Sequence, residues 1–513
     1  MPAMSWISRS LLFLVVLETF LLFSSGARTA LKDAVAGATH PSSHVDIDID
    51  TDAYFRKNGL SVPKSTAAAR GPLRVSRVNP RYFADDRGEI VFLAGSHNWA
   101  SLQDGSYDDP PAKFNYSKYL DFLQAHHHNF FRLWVSEQAE WISEDKRPFF
   151  NDPLPYQRTG PGIALDQKPE FDLSKFNQAY FDRMRERVSE AGRRGIYVSI
   201  MLFNGFSIGP KPKDVSKNSN PWHGHPFNVR NNINGVDGDL NADDRGDEVQ
   251  QLLSPRITSL EEAYVRKVID TVNDLDNVLF EISNESDASS VPWQYHMIDF
   301  IHATESALPK QHPVGMTVPW PYGDNAALYA SKAEWISPNG LLDRPETSDG
   351  RKVVVVDTDH LCGSCGSPEW VWMSFTRGLN LLYMDMYDGG FVPEGIRYDI
   401  EDPDYVNIRK NLGYVRQYAQ KIDLKDMVPQ GELSSSGFAL AHIQDPKARY
   451  LIFVPNGGRV SVDLRNSAGS FSVEWFDPRL GTVTSGAPAA GGGYRTFAVP
   501  FSGSAVLYLS RRE

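Results

Sequence analysis

N-V-L-F-E-I-S-N-E-S-D, residues 277 to 287, joins a run of apolar residues to a polar cluster. The apolar residues from Val278 to Ile282 predict a short strand that is buried on both faces. The cluster S-N-E, which ends at Glu285, follows this strand at once. In a barrel of parallel strands, active sites are assembled at the C-terminal strand ends, where this carboxylate would lie. We therefore expect other strands to bring partner groups to Glu285.

The composition limits the classes of protein to which this chain can belong. The chain has 513 residues, enough for a barrel of about 250 to 400 residues and a smaller module. Its 41% hydrophobic and 23% charged residues are typical of a globular protein with a large core. The net charge of -12 gives no basic surface for nucleic acid or for an anionic membrane. A neutral partner suits this charge better.

The first 30 residues have the layout of a secretory signal peptide. Arg9 precedes the apolar run Leu11–Phe23, and small residues follow up to Ala30. Glu18 interrupts the run, and an uncleaved anchor is the alternative, although the run is shorter than the ~20 residues that span a bilayer. We predict a secreted protein, extracellular or periplasmic, without stable membrane association after cleavage. Residues 31–72 are polar or small and are expected to form a flexible tether.

From Leu73 onward, apolar runs alternate with helical patterns. Because parallel neighbours need helical crossovers, this order predicts a (β/α)₈ TIM barrel, an α/β fold, over residues 73–425. An open doubly wound sheet is the alternative, but no G-x-G-x-x-G motif follows the first run, and we predict no cofactor. The eight predicted strands are Glu89–Ala94, Phe130–Val135, Ile196–Phe203, Val278–Ile282, Pro313–Val318, Glu334–Ile336, Lys352–Val356 and Leu379–Met384.

Serine and threonine residues mark the starts of several predicted helices. Ser117 is an expected N-cap, and Thr258 or Ser259 is expected to cap the helix before the fourth strand. Ser367 precedes a proline at the first helical position. A last helix, from about residue 404 to 422, is expected to close the barrel.

Residues 426–513 change to a period of two, which predicts a small antiparallel β-sandwich. Polar residues do not cluster at its strand ends, so packing or binding is a better expectation for this domain than chemistry. Its predicted strands are Phe438–Ile443, Tyr450–Val454, Val460–Leu464, Phe471–Phe476, Thr496–Val499 and Ala505–Leu509.

Two carboxylates are expected on opposite sides of the barrel mouth. Glu285 ends strand four and Asp357 ends strand seven. Such a pair cleaves a glycosidic bond when one group, with a raised pKa, protonates the leaving oxygen and the other attacks the anomeric carbon or activates water. Asp359 has the side-chain parity of Asp357 and is the alternative second carboxylate. In a purely structural alternative, either acid only pairs with Arg132 or caps a helix.

Short motifs from Leu73 to the C-terminus resemble a known family. Asn284-Glu285 at the fourth strand, Arg132 at the second and an acid after the seventh resemble the large clan of (β/α)₈ glycoside hydrolases that includes cellulases. More narrowly, the chain resembles the apiosidase-like, cellulase-like catalytic domain, followed by a small β-domain that carries a collagen-binding label. The motifs are N-P-R-Y-F (79 to 83), G-S-H-N-W (95 to 99), H-P-F-N (225 to 228), N-N-I-N-G (231 to 235), D-T-D-H-L (357 to 361), W-V-W-M-S-F-T-R-G (370 to 378) and W-F-D-P-R-L-G (475 to 481).

The resemblance implies a glycosidase that acts on a polysaccharide or oligosaccharide. Glu285 would be the general acid/base, Asn284 would bind a sugar hydroxyl, and Arg132 would hold the opposing carboxylate ionised. Asp357 would be the nucleophile, and the configuration would be retained. The family usually has Glu at this place, and the shorter Asp leaves Asp359 open as the alternative. A barrel that binds carbohydrate or matrix without turnover is the rival from another class.

Further side chains at the predicted strand ends are candidates for substrate binding. Trp99, Trp134 and Trp320 could stack on the apolar face of a sugar, with core packing as the alternative for each. The polar candidates are His97, Asn98, Asn204 and Asp385.

The loop after strand seven also holds a dense group of possible metal ligands. These are Asp357, Asp359, His360, Cys362 and Cys365, which borderline metals accept. However, a lone C-x-x-C pair in an exported protein is as easily a disulfide that shapes this loop. We therefore predict no metal site.

Overall fold

The computed structural model describes most of the chain from residue 51 onward. The expected signal peptide, and the expected tether as far as residue 50, lie outside the described residues. Within them, no helix combines the length and the apolar character that a membrane span requires. The described ranges are 51–64, 66–142, 147–209, 220–321, 323–387 and 399–512.

Eight parallel strands, β1 to β8 in chain order, close into a barrel in which β8 pairs with β1. The apolar runs predicted seven of these strands, and the (β/α)₈ prediction is confirmed, so the open doubly wound alternative is wrong. The strands are β1 (Ala94–His97), β2 (Phe130–Leu133), β3 (Tyr197–Asn204), β4 (Val278–Asn284), β5 (Val314–Thr317), β6 (Trp335–Ser337), β7 (Val353–Asp357) and β8 (Asn380–Met384).

The first barrel strand begins later than the sequence predicts. The run Glu89–Ala94 first contributes Ile90–Val91 to a separate antiparallel sheet with Phe83–Ala84 and Arg74–Val75. Leu73 and Phe83 then pack with inward side chains of the barrel. The single apolar run therefore contributes to two elements, the small sheet that covers the N-terminal end of the barrel and strand β1.

Helices connect most of the barrel strands. The connection from β6 to β7, residues 338–352, has none. The helix before β4 begins earlier than predicted, at Pro255, because the Ser254 side chain accepts from the backbone N–H of Ile257 and Pro255 fits the first turn. The α-helices in the described ranges are α1 (Thr51–Asn58), α2 (Tyr116–Ala125), α3 (Gln178–Arg193), α4 (Pro255–Val272), α5 (Val291–Glu305), α6 (Asn325–Ala330), α7 (Pro368–Thr376) and α8 (Pro403–Lys421).

The described part of the expected tether is folded. Helix α1 buries Tyr54 and Phe55, and the Tyr54 hydroxyl lies 3.0 Å from His126 Nε2 at the end of α2. The following extended segment donates from Ala69 N to the carbonyl of Gly192, 2.8 Å away. Residues 51–58 therefore form a helix with buried aromatic side chains, where the sequence predicted only a flexible tether.

The loops after β1 and β2 carry extra antiparallel strands above the barrel. Asp104–Ser106, Pro148–Asp152 and Glu140–Ile142 form one sheet. Tyr156–Ile163 and Pro169–Phe176 form a hairpin. By topology these insertions lie on the C-terminal side of the barrel, where the candidate site is expected.

The C-terminal region forms a six-stranded antiparallel sheet, in the order β9-β10-β11-β16-β13-β14, and a two-stranded sheet, β12-β15. All six predicted strands are present. The sequence missed β9 and β14, and β14 is mostly exposed and lacks apolar alternation. The strands are β9 (Val428–Pro429), β10 (Ala439–His442), β11 (Arg449–Val454), β12 (Arg459–Asp463), β13 (Ser470–Asp477), β14 (Thr482–Ala490), β15 (Tyr494–Ala498) and β16 (Ala505–Arg511).

The larger C-terminal sheet packs on the barrel. Phe476 of β13 lies with its ring centroid 5.6 Å from Trp372 of α7 and 5.3 Å from Tyr418 of α8. Tyr418 also donates to Glu474 at 2.8 Å. The opposite face of the sheet forms a second apolar core with β12 and β15. Packing is therefore one role of this region, as the sequence predicts.

Candidate active site

Arg132, in β2, connects the C-terminal ends of three barrel strands. Its Nη2 lies 3.0 Å from Asp357 Oδ2 of β7 and 2.9 Å from Glu281 Oε1 of β4. Its Nη1 donates to Asp359 Oδ2 at 3.1 Å and to Asn284 Oδ1 at 3.4 Å. The guanidinium is buried, and its charge needs these carboxylates as counterions.

Asp357 is enclosed on every side that the structure describes. Its side chain is 1% exposed. Oδ1 lies 3.3 Å from His97 Nε2 and accepts from the backbone N–H of Asp359 at 3.0 Å, which caps the short 3₁₀ helix Thr358–His360. Burial alone would raise the pKa of Asp357, but Arg132 and His97 outweigh burial and hold that pKa below the ordinary range. Asp357 is therefore a fixed negative charge.

Asp359 differs from Asp357 in both access and acidity. Its side chain is 7% exposed. Burial and the neighbouring charge of Asp357 raise the pKa of Asp359, and the attraction of Arg132 only partly opposes them. The environments thus push the pKa values of two carboxylates two residues apart in opposite directions, an arrangement typical of acid/base sites.

Glu281 is the member of this cluster that sequence reasoning missed. It lies in the middle of β4, fully buried, and its Oε2 accepts from Arg132 Nε at 3.0 Å and from Ser199 Oγ at 3.2 Å. Burial and the nearby Asp357 raise the pKa of Glu281, whereas Arg132 lowers it. The signal in the sequence was a charged residue inside an apolar strand.

Asn284 and His360 connect β4 to the loop after β7. The distance from His360 Nε2 to Asn284 Oδ1 is 3.1 Å, and that from His360 Nδ1 to Ser337 Oγ is 2.8 Å. Burial, together with the charge of Arg132, lowers the pKa of His360 to about 3, so the ring is neutral at physiological pH. Asn284 therefore has the Arg132 guanidinium on one side and a neutral imidazole on the other.

Glu285 follows Asn284 in a conformation that glutamate rarely adopts. Its φ is 49°, in the left-handed region, and the residue is half-buried. Gly205, at the start of the 3₁₀ helix after β3, lies against this turn: an added Cβ would be 2.4 Å from the carbonyl oxygen of Glu285. The fold thus accepts local strain to present this glutamate at the barrel mouth.

Two of the three predicted tryptophans are adjacent to the ionic cluster. Trp134 stacks on His97 with an interplanar angle of 8° and a centroid distance of 5.7 Å. Trp99 lies 6.2 Å from Trp134 and is half-buried. Trp320, also half-buried, donates its backbone N–H to Ser286, just after Glu285. The mouth therefore presents aromatic surface beside the carboxylates.

The remaining predicted residues make other contacts. Asn98 Oδ1 accepts from Ala100 N, and its buried Nδ2 has no hydrogen-bond partner among the described residues. Asn204 donates to the carbonyl of Val135 at 3.0 Å. Asp385 makes two hydrogen bonds of 2.6 and 2.8 Å with buried Arg409 of α8. The structure therefore places Asp385 in an ion pair that attaches the closing helix to β8.

The side chains that could bind a metal already have other partners. Asp357, Asp359 and His360 bring ligand atoms within 4.8 Å of one another. Arg132, however, supplies a positive charge to both aspartates at 3.0 and 3.1 Å. Cys362 and Cys365 form a disulfide and so are lost as thiolate ligands.

Comparisons with known proteins give two family matches. A model described as "Domain of unknown function (DUF6298)" matches residues 137–328. A model described as "Putative collagen-binding domain of a collagenase" matches residues 435–506, which confirms the resemblance predicted for the C-terminal region. Comparison with curated protein sequences gives no match.

Solved structures share the fold over most of the chain. One described as "Glycoside hydrolase" superposes with a TM-score of 0.55 at 12% identity, over 87% of this chain and 99% of its own. A glycoside hydrolase family 5 protein from Bacteroides vulgatus ATCC 8482 has the same TM-score and identity, over 87% of this chain and 95% of its own. The chain shares the fold of these glycoside hydrolases. At this identity the likeness establishes architecture and not activity.

Proposed function

We propose that the protein is a retaining glycoside hydrolase that cleaves O-glycosidic bonds in a polysaccharide or oligosaccharide. The observation that carries the proposal is the contact of buried Arg132 with Asp357, Asp359 and Asn284, the residue next to Glu285. A cation of this kind favours the ionised form of a carboxylate beside the reacting carbon. Glu285 would protonate the leaving oxygen and then activate water.

We assign nucleophilic attack to Asp359 rather than to Asp357. A nucleophile needs a carboxylate oxygen that a sugar carbon can approach. The sequence favoured Asp357, but its oxygens face His97, Arg132 and the Asp359 N–H, and its side chain is 1% exposed against 7% for Asp359. In this assignment Asp357 holds the loop of Asp359 and keeps Arg132 in place.

The surroundings of the cluster favour a carbohydrate substrate. Half-buried Trp99 offers aromatic surface for the apolar side of a sugar ring, and the buried Nδ2 of Asn98 has no hydrogen-bond partner among the described residues. We further propose an apiosidase-like specificity for a plant or microbial glycan, because the short motifs occur in the sequence in the order typical of that family. Export is proposed from the N-terminal apolar run, and the disulfide between Cys362 and Cys365 suits that compartment.

The proposal is tested by the release of reducing sugar from a panel of plant and microbial glycans. Wild-type protein is expected to release sugar from at least one glycan. Asp359→Asn is expected to lose all but a trace of this release, whereas Asp357→Asn keeps a measurable part of it. Azide should restore cleavage to Asp359→Ala and give a glycosyl azide of inverted configuration. Loss in Asp357→Asn with full release in Asp359→Asn would reverse the assignment.

A second candidate function is a barrel that binds carbohydrate or matrix without turnover. The enclosure of Asp357, which both pairs with Arg132 and caps a helix, favours this alternative. It predicts binding to a glycan of the panel without release of reducing sugar. Wild-type protein that binds and releases nothing would support this function against the hydrolase.

A further inference from the structure

We infer that Glu281 is a positioning residue that holds the guanidinium of Arg132 in place from inside the barrel, beneath the candidate active site. The inference rests on the proposed function, because it assigns Glu281 a task in the same reaction. Glu281 lies within β4, four residues before Glu285, and no part of its side chain is exposed to solvent. It therefore acts through Arg132 and not on the substrate.

The contacts divide the guanidinium into two sides. Glu281 takes the inner side, with Oε2 accepting from Nε at 3.0 Å and Oε1 lying 2.9 Å from Nη2. The outer side meets Asp357 at 3.0 Å and Asp359 at 3.1 Å. The hydrogen bond at Nε and the ion-pair contact at Nη2 restrict the turning of the planar guanidinium, so Glu281 sets the direction in which Arg132 presents its remaining donors.

Ser199 of β3 in turn fixes Glu281. Its hydroxyl donates to Oε2 at 3.2 Å and is itself fully buried. The chain of contacts runs from Ser199 through Glu281 and Arg132 to Asp359. A substitution at Ser199 or at Glu281 should therefore disturb the position of the Arg132 guanidinium, to different extents.

The charge of Glu281 also competes for Arg132. While Glu281 is ionised, one guanidinium serves three carboxylates, and Asp359 receives only part of its positive charge. Removing the charge of Glu281 should therefore stabilise the ionised form of Asp359. Arg132 of β2, His97 of β1 and Asp357 of β7 act on Asp359 by their charges, and Glu281 acts on it through Arg132.

The test compares Glu281→Gln with wild type in two measurements. Crystal structures of both should show the Arg132 guanidinium displaced toward Asp357 and Asp359 in the variant. On the glycan that wild type cleaves best, kcat should fall at least about 10-fold with KM changed less than about twofold, because the substrate contacts remain. The acid limb of the pH profile should move to lower pH.

Two further variants keep the test decisive. Ser199→Ala should shift the acid limb in the same direction by a smaller amount, and it leaves the carboxyl group in place if Glu281→Gln does not fold. Glu261→Gln is the matched control, because Glu261 is equally buried and its pKa is also raised by burial, but it lies on outer helix α4 and accepts from Trp293. Its kcat and acid limb should equal those of wild type.

The outcomes separate this inference from the proposed function. If the wild-type protein cleaves no glycan, the proposed function is overturned. The position of the Arg132 guanidinium in the two crystal structures then tests the role of Glu281 on its own. Active Glu281→Gln with wild-type kcat, acid limb and Arg132 position overturns the inference. A purely structural role for Glu281 would lower the melting temperature and leave the acid limb unmoved, which also overturns it.

Discussion

Glu285 has a backbone φ of 49°, a conformation that costs a residue with a Cβ roughly 1 to 2 kcal/mol. Glycine adopts this conformation without that cost, but loses more entropy on folding. Residues in strained backbone conformations often cluster at active sites, where the surrounding structure holds them in place. The conformation of Glu285 is therefore consistent with its proposed role.

This argument predicts the behaviour of Glu285→Gly. The variant should lose glycan cleavage, while its free energy of unfolding should be unchanged or higher by up to about 1 kcal/mol, because the left-handed strain is relieved. Asp423 is a matched control, with a φ of 50° in an exposed turn after α8. Asp423→Gly should show a similar stability and full cleavage. A strong loss of stability in Glu285→Gly, measured by thermal unfolding, would contradict the strain argument.

The opposed pKa shifts of Asp357 and Asp359 predict a pH dependence. Asp359 must be ionised to attack, and its pKa is raised above the ordinary value of about 4, so cleavage should fall on acidification already above pH ~4. Asp357→Asn removes the charge that helps raise this pKa, so the acid limb of kcat/KM should move to lower pH. A limb that stays in place in Asp357→Asn would show that another group sets it.

At the scale of elements, the 3₁₀ helix Gly205–Ile208 supports the turn after β4. The Cβ of an alanine at position 205 would lie 2.4 Å from the Glu285 carbonyl oxygen and 2.6 Å from the Ser286 nitrogen. Neither backbone atom can move without moving Glu285. The two strand ends are therefore coupled through a single glycine.

Gly205→Ala should reduce kcat/KM by about 10- to 100-fold, because a displacement of the acid/base by less than 1 Å is enough for such a loss. Gly340→Ala is the control in the loop after β6, where the added Cβ would meet only Leu361 at an ordinary 3.6 Å. Steady-state kinetics of the two variants provide the measurement. Equal kcat/KM values for Gly205→Ala and Gly340→Ala would refute the coupling.

Most of the barrel strands were predictable because they follow runs rich in apolar residues, and strand ends were predictable as the place of the candidate site. Contacts between distant residues were not. The pairing of Asp385 with Arg409 joins residues 24 positions apart on different elements. Glu281 was missed because an apolar pattern tolerates one charged residue without revealing its partner Arg132 on another strand. Helix α1 was missed because it contains few apolar residues.

At the scale of the whole molecule, the C-terminal sheet and the barrel share apolar contacts. Phe476 packs against Trp372 and Tyr418, and Asn411 of α8 donates to the carbonyl of Pro478 at 3.0 Å. One face of the larger sheet thus belongs to the same core as α7 and α8. We expect the two parts to unfold together.

Phe476→Ala should lower the free energy of unfolding by about 3 to 5 kcal/mol, the usual cost of a buried phenylalanine, and calorimetry should still show one transition. Phe497, which is half-buried against the second C-terminal core, provides a control with a smaller loss. Two separate transitions, with the barrel unaffected by Phe476→Ala, would mean that the contact between the parts contributes little.

The central claim is that Glu285 is the general acid/base of a glycosidase, and its most direct test is turnover by Glu285→Gln on the best glycan of the panel. The amide keeps the size of the side chain but cannot protonate the leaving oxygen. Release of reducing sugar should fall by about 100- to 10,000-fold while glycan binding stays within a few-fold of wild type. Undiminished release by Glu285→Gln would contradict the account.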